Sequence, residues 1–86
     1  PATAKDAVES GLDAFNSKKD YDEAIRLFKA AMQLQPSSEE AAAALYNLAC
    51  AYAKKRKFKE ACQALQEAVD DHNLKISVAI NVSRNP

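Results

Sequence analysis

From Val8 to Val69, apolar residues return at intervals of three and four: Val8, Leu12 and Phe15; Ala24, Leu27, Phe28 and Ala31; Leu45, Leu48, Ala49 and Tyr52; Ala61, Leu65, Ala68 and Val69. Each set lies on one face of a helix, with charged residues on the opposite face. Capping signals separate the sets. Thr3 stands three residues before Asp6, where its hydroxyl can accept a bond from a free first-turn N–H. Asp20 and Glu23 have capping-box spacing, and with Asp22 they put carboxylates at the positive end of a helix dipole. Ser37 and Glu40 repeat the device directly after Pro36, a residue that a preceding helix does not easily pass. The pattern predicts four helices, roughly 4–17, 21–35, 38–55 and 58–71. Short turns between them make sequential neighbours antiparallel. Beyond them, Ile76, Val78, Ile80 and Val82 alternate as a strand would. A lone strand leaves its N–H and C=O groups unpaired, so a short fifth helix over about 74–83, covering the exposed face of the last pair, is the expected arrangement.

Composition sharpens this picture. With 86 residues and 9.4 kDa the chain makes one domain, too short for an enzyme with an interdomain cleft. A chain of this size buries only about 60% of its unfolded surface, so modest stability is expected. Ala makes up about a fifth of the residues, and before Asn73 the β-branched residues are Thr3, Val8, Ile25 and Val69, a balance that favours helix. A single Gly, three Pro and 48% hydrophobic residues exclude a disordered tail or a loop-rich secreted scaffold. Twelve basic and twelve acidic side chains cancel, which removes any argument from net charge for nucleic acid or membrane. Cys50 and Cys62 belong to no CxxC motif. Two such thiols suit a reducing compartment (cytosol, nucleus, or an organelle stroma or matrix) better than a disulfide framework. No apolar run approaches the ~20 residues of a membrane span, and no leader pattern opens the chain. Pro1 at the start and Asn85-Pro86 at the end read as the edges of a fragment cut from a longer polypeptide.

An internal repeat decides the architecture. Asp20-Tyr21-Asp22-Glu23-Ala24-Ile25 matches Lys57-Phe58-Lys59-Glu60-Ala61-Cys62 in spacing. An aromatic residue comes first, Ala follows three later, then a large apolar residue (Phe28, Leu65) and another Ala (Ala31, Ala68). Small Ala24 and Ala61 permit close helix approach while the larger residues fill the space around them. A single helix pair of this kind cannot cover its own apolar face, so such units stack.

These residues resemble the tetratricopeptide repeat family. Leu45, Leu48, Ala49, Tyr52, Phe58, Ala61, Leu65 and Ala68 match its pattern, with Asn73 where Pro is usual. Gly11, Tyr21, Ala24, Phe28, Ala31 and Pro36 match in the first unit, while Ala7 and Ser10 depart from it. Two further departures concern length. One extra residue lies between Gly11 and Tyr21, and the spacing from Ala24 to Ala61 is 37 where the family has about 34. The added residues fall near 40–44, as one more turn at the front of the third helix. The resemblance implies an all-α fold, a right-handed superhelix of antiparallel helix hairpins, as a tetratricopeptide-like α-solenoid fragment. It also implies a single domain over 1–86: repeat 1 over about 4–36, repeat 2 over about 38–72, and a capping segment over about 73–86.

It further implies a protein-interaction module without catalysis, in which the first helices of successive units line a concave groove for a peptide or helix of a partner. Carried over position by position, that groove presents Lys5, Val8, Leu12, Phe15 and Asn16, then Ala43, Tyr46, Asn47, Cys50 and Lys54. One branch of the family grips the C-terminal carboxylate of heat-shock chaperones with Lys, Asn and Arg. Asn47 matches that set, but Val8, Leu12, Ser77 and Asn81 stand at its other positions, and a carboxylate buried without charged partners is costly. The resemblance therefore argues against chaperone-tail clamping. The role implied is scaffolding or complex assembly within a longer chain.

No catalytic set, metal site or cofactor site is expected. His72 is the single histidine, set at a helix end beside Asp70 and Asp71, and one imidazole without a second ligand nearby builds no site. The acidic clusters at Asp20, Asp22 and Glu23 and at Glu39 and Glu40 fall where capping accounts for them. One Gly cannot make a phosphate loop, so no small-molecule substrate is expected. The run Lys54, Lys55, Arg56, Lys57, Phe58, Lys59 reads first as a solvated inter-helix turn. Its functional alternative is docking to an acidic partner, nucleic acid or a membrane surface. Self-association through the apolar ends of the stack is the other alternative. By family position Cys62 is expected in helix packing and Cys50 on the concave side.

Overall fold

The computed structural model describes residues 2–72, and the fifth helix expected over 74–83 lies outside them. Within that range the chain folds into α1 (Ala4–Asn16), α2 (Tyr21–Met32), α3 (Ser38–Lys54) and α4 (Phe58–His72). Each helix packs on its neighbour in sequence, and α3 also touches α1. The result is two antiparallel hairpins, α1/α2 and α3/α4, joined through α2 and α3.

The caps form where the side chains are placed to make them. Thr3 Oγ1 accepts from the Asp6 N–H at 3.1 Å. Ser37 and Glu40 close a reciprocal capping box at 3.1 and 2.9 Å. The box expected at Asp20 closes in one direction only. Asp20 Oδ1 accepts from the Glu23 N–H at 3.1 Å, but Glu23 turns its carboxylate to the guanidinium of Arg26, at 2.8 and 2.6 Å. The backbone N–H of Asp20 instead donates to the Ala14 carbonyl at 2.9 Å and closes the turn behind it.

The boundaries hold to within a residue except at the end of α2, which stops at Met32 and not near 35. The Gln33 and Leu34 N–H groups donate to the Ala30 and Ala31 carbonyls at 3.0 and 3.1 Å, a tighter final turn, and Gln35 takes φ +52°. Lys19 and Arg56 also have positive φ, +55° and +63°, each just before the second helix of its hairpin. The first turn (17–20) holds one residue more than the second (55–57), so its closing bond reaches back to Ala14 where Lys57 N–H reaches Tyr52 O at 2.8 Å. α3 has 17 residues against 13 in α1, the additional turn at its front.

The core is built of Ala and a few large residues. Phe28 is fully buried and shares one cluster with Ala14, Ala24, Leu27, Leu45, Leu48, Ala49, Ala51, Ala61, Ala64 and Ala68. Gly11 lies against Phe28, since a Cβ placed on it would come within 2.5 Å of the ring. A smaller cluster joins Ala7, Val8, Ala31 and Ala44, with Leu12, Met32 and Leu34 packed on it, and ties α1 and α2 to α3. Small residues at the helix crossings let backbones approach closely, so the large side chains fill space that would otherwise be void.

Candidate functional site

The first helices of the two hairpins carry the residues assigned to the groove. On α1, Lys5 and Asn16 are exposed, Leu12 is half-buried, and Val8 is buried at 9% exposure in the cluster that reaches Ala44. Val8 is thus taken up by packing under α3. Phe15 is half-buried and meets Tyr21 edge-on, ring centres 5.3 Å apart, so it also holds its own hairpin together. On α3, Tyr46 is 43% exposed while Ala43, Asn47 and Cys50 are half-buried and Lys54 is exposed. Asn47 Nδ2 donates to the Ala43 carbonyl one turn back at 2.8 Å. That bond fixes the amide, and among the described residues its oxygen accepts no hydrogen bond.

The basic run forms the turn between α3 and α4. Lys55 is half-buried and its Nζ lies 2.7 Å from Asp22 Oδ1, an ion pair that links the turn to the start of α2. Arg56 holds its left-handed conformation with the guanidinium 5.8 Å from the centre of the Phe58 ring. Lys57 precedes α4, its carbonyl accepting from Ala61 N–H at 3.0 Å, so it occupies the position that Asp20 holds before α2. An ammonium cannot accept the first-turn N–H bond that Asp20 accepts. Lys54 and Lys59 are exposed. At the start of α2, the hydrogen bond from Arg26 holds the Glu23 carboxyl below its usual pKa of 4.5, with the charges of Arg26 and Lys18 adding to the effect.

Both cysteines are free thiols, and one departs from its expected place. Cys62 is exposed, not packed at a helix interface. It lines a shallow cleft of about 250 Å³ with Leu65, Gln66 and Val69 on the outer face of α4. A second cleft of about 490 Å³ lies between α1 and α2, walled by Glu9, Ser10, Asp13, Lys18 and Glu23 over Ala14 and Leu27. A third, of about 500 Å³, has Arg26, Lys29 and Glu67 around Met32, Leu45 and Leu48. Lys29 Nζ there stands 5.8 Å from the Tyr52 ring centre.

The profile of the tetratricopeptide repeat matches residues 11–73 of the chain. The chain is also similar to a protein of Arabidopsis thaliana whose name marks it as chloroplastic, with 36% identity over 62 residues, which is 72% of this chain and 18% of that protein. The chain therefore spans under a fifth of the length of that relative. No solved structure gives a significant match. Repeats of this family generally mediate protein–protein interaction and are typically non-catalytic. Two stacked hairpins, small residues at their crossings and a profile match running through both place the chain in the tetratricopeptide repeat family.

Proposed function

We propose that the chain binds a peptide or helix of another protein along the concave face of α1 and α3, as a scaffold or complex-assembly module within a longer polypeptide. The observation that carries this reading is Tyr46. It is a large aromatic side chain left 43% exposed on a helix whose other large apolar residues are buried or half-buried. Beside it are half-buried Cys50 and Asn47, and on α1 half-buried Leu12 and Phe15, with Lys5 and Lys54 at the edges. Apolar anchors with a few oriented polar groups suit a peptide backbone. Val8 supports the floor from below. The domain reading goes with this: one unit over 1–86, with repeats over about 4–36 and 38–72 and a capping segment after them. The name of the Arabidopsis relative places that protein in the chloroplast, which among reducing compartments favours an organelle stroma here.

The test is affinity capture with the chain as bait, followed by titration of the captured partner against Tyr46→Ala and Phe15→Ala. Loss of an interface anchor costs about 2 kcal/mol or more, a weakening of roughly thirtyfold. Phe15 also packs on Tyr21, so its variant is compared at a temperature where helicity is retained. Normal binding by both variants refutes the groove. A second reading has its own observation: Arg56 and Lys57 occupy a left-handed position and a helix cap where neither side chain favours the local structure. If the turn docks an acidic surface, binding falls steeply as salt rises and Tyr46→Ala leaves it unchanged.

A further inference from the structure

Four successive residues where the second turn enters α4, 56–59, are ones that the fold alone does not favour. Arg56 takes a left-handed φ of +63°, a conformation that glycine adopts without strain. Lys57 stands where Asp20 caps α2, and an ammonium accepts no N–H bond. Lys59 matches Asp22 in the first turn of its helix, so a cation faces the positive end of the α4 dipole. Phe58 matches Tyr21, which is half-buried and meets Phe15 edge-on. On α3, Ala53 takes the place of Phe15 at the spacing that pairs Gly11 with Ala49, and the Phe58 ring is left 55% exposed.

The charge at this tip is also uncompensated. No Asp or Glu occurs between Glu40 and Glu60, while Lys54, Lys55, Arg56, Lys57 and Lys59 all fall inside that interval. Across the turn, Asp22 is held by Lys55 at 2.7 Å and Glu23 by Arg26. Among the described residues, Lys54, Arg56, Lys57 and Lys59 form no ion pair. Residues 73–86 include Lys75 and Arg84 but neither Asp nor Glu, so they bring no side-chain carboxylate to the tip. Twelve charges of each sign cancel over the whole chain, yet they do not cancel here.

We propose that this tip docks on an anionic membrane surface, with the Phe58 ring entering the headgroup boundary and Lys54, Arg56, Lys57 and Lys59 lying among the lipid phosphates. Such docking rests on the acidic-surface reading of the turn and makes that surface a lipid one. A bilayer meets both parts of the tip, since its headgroups attract the cations and its acyl boundary receives the ring. The long stems of lysine let the ammonium groups stay at headgroup level while the ring goes deeper. An acidic peptide answers the cations alone. A nucleobase stacks on an open ring face, and the Arg56 guanidinium stands over one of the two, 5.8 Å from the ring centre. The tip shares only Lys54 with the groove.

The experiment sediments the full 86-residue chain with vesicles of phosphatidylcholine, alone or mixed with phosphatidylserine. Binding is expected to the mixed vesicles only, and it falls steeply as salt rises. Each cation near such a surface contributes roughly a fivefold factor, so Arg56→Gly weakens binding about fivefold and the charge reversal Lys57→Asp about 25-fold. Both changes move toward residues that the turn favours, so Tm is expected to rise while binding falls, a pairing that misfolding cannot produce. Phe58→Ala, compared at matched helical circular dichroism, weakens binding about tenfold and leaves the salt dependence in place. The chain has no Trp, so Phe58→Trp places a single indole at the tip, and its emission shifts to the blue on the mixed vesicles. Tyr46→Ala binds vesicles normally, which separates the tip from the groove. The proposal is overturned if mixed vesicles fail to bind at low salt, if phosphatidylcholine alone binds equally, or if Lys57→Asp binds normally. An indole emission that does not move also overturns it. If vesicles fail while a polyglutamate peptide or an oligothymidylate binds, the acidic-surface reading stands and the membrane is the wrong surface. If no anionic probe binds, both fall.

Discussion

Gly11 and Phe28 form the tightest contact in the first hairpin, and replacing Gly11 with Ala sets two opposing terms against each other. Removing Gly from a helix interior favours the folded state by about 1 kcal/mol through backbone propensity alone. The new methyl group, however, would stand 2.5, 2.8 and 3.0 Å from three carbons of the Phe28 ring. Ordinary carbon contacts begin near 3.5 Å, so the ring must move by about 1 Å. Phe28 has no exposed surface and is enclosed by the main core cluster, so that displacement spreads to its neighbours. Overpacking of this kind costs about 1–3 kcal/mol, and the net expectation for Gly11→Ala is a loss of about 1 kcal/mol. In a domain of this size that lowers Tm by roughly 4–8 °C. The second hairpin supplies the control, because it carries Ala49 and Leu65 at the matching positions. Phe28→Leu alone removes volume from a fully buried site and should lose about 1–2 kcal/mol. In the Gly11→Ala background it should lose less than that or gain, a coupling of at least about 0.5 kcal/mol in urea melts of the four-member cycle. If Gly11→Ala raises stability by the full propensity term, or the two changes add independently, the packing account is wrong.

The second turn offers two substitutions expected to stabilise. Arg56→Gly relieves a left-handed φ and should add about 0.5 to 1 kcal/mol. Lys57→Asp installs the cap that Asp20 provides in the first hairpin and should add about 1 kcal/mol, both read from thermal melts. The folded-state pKa of Glu23 is depressed, so its contribution is present above the usual carboxylate value and is lost as pH falls through the folded one. Arg26→Ala should return the Glu23 titration, followed by carboxyl carbon NMR, toward 4.5.

Helix number and order were legible because the apolar spacing and the caps agree, as they do at Ser37 and Glu40. Where two local partners compete, spacing alone does not choose between them. Glu23 sits at the right distance to complete a box with Asp20, yet a bidentate bond to Arg26 is stronger than one to a backbone N–H and takes the carboxylate. The end of α2 shows the same competition. Apolar spacing continues through Leu34, yet the Gln33 and Leu34 N–H groups turn to carbonyls three residues back and the α-helix closes there.

The candidate site divides along a different line. A helical pattern tells which residues share a face, but burial depends on what lies across from that face. Val8 and Tyr46 hold matching positions, and one is buried while the other is exposed only because α3 lies over the first. Cys62 and Ile25 also hold matching positions, and Ile25 is half-buried where the thiol is at the surface. Position within the repeat therefore assigns a side chain's direction, and the neighbour in the stack assigns its burial.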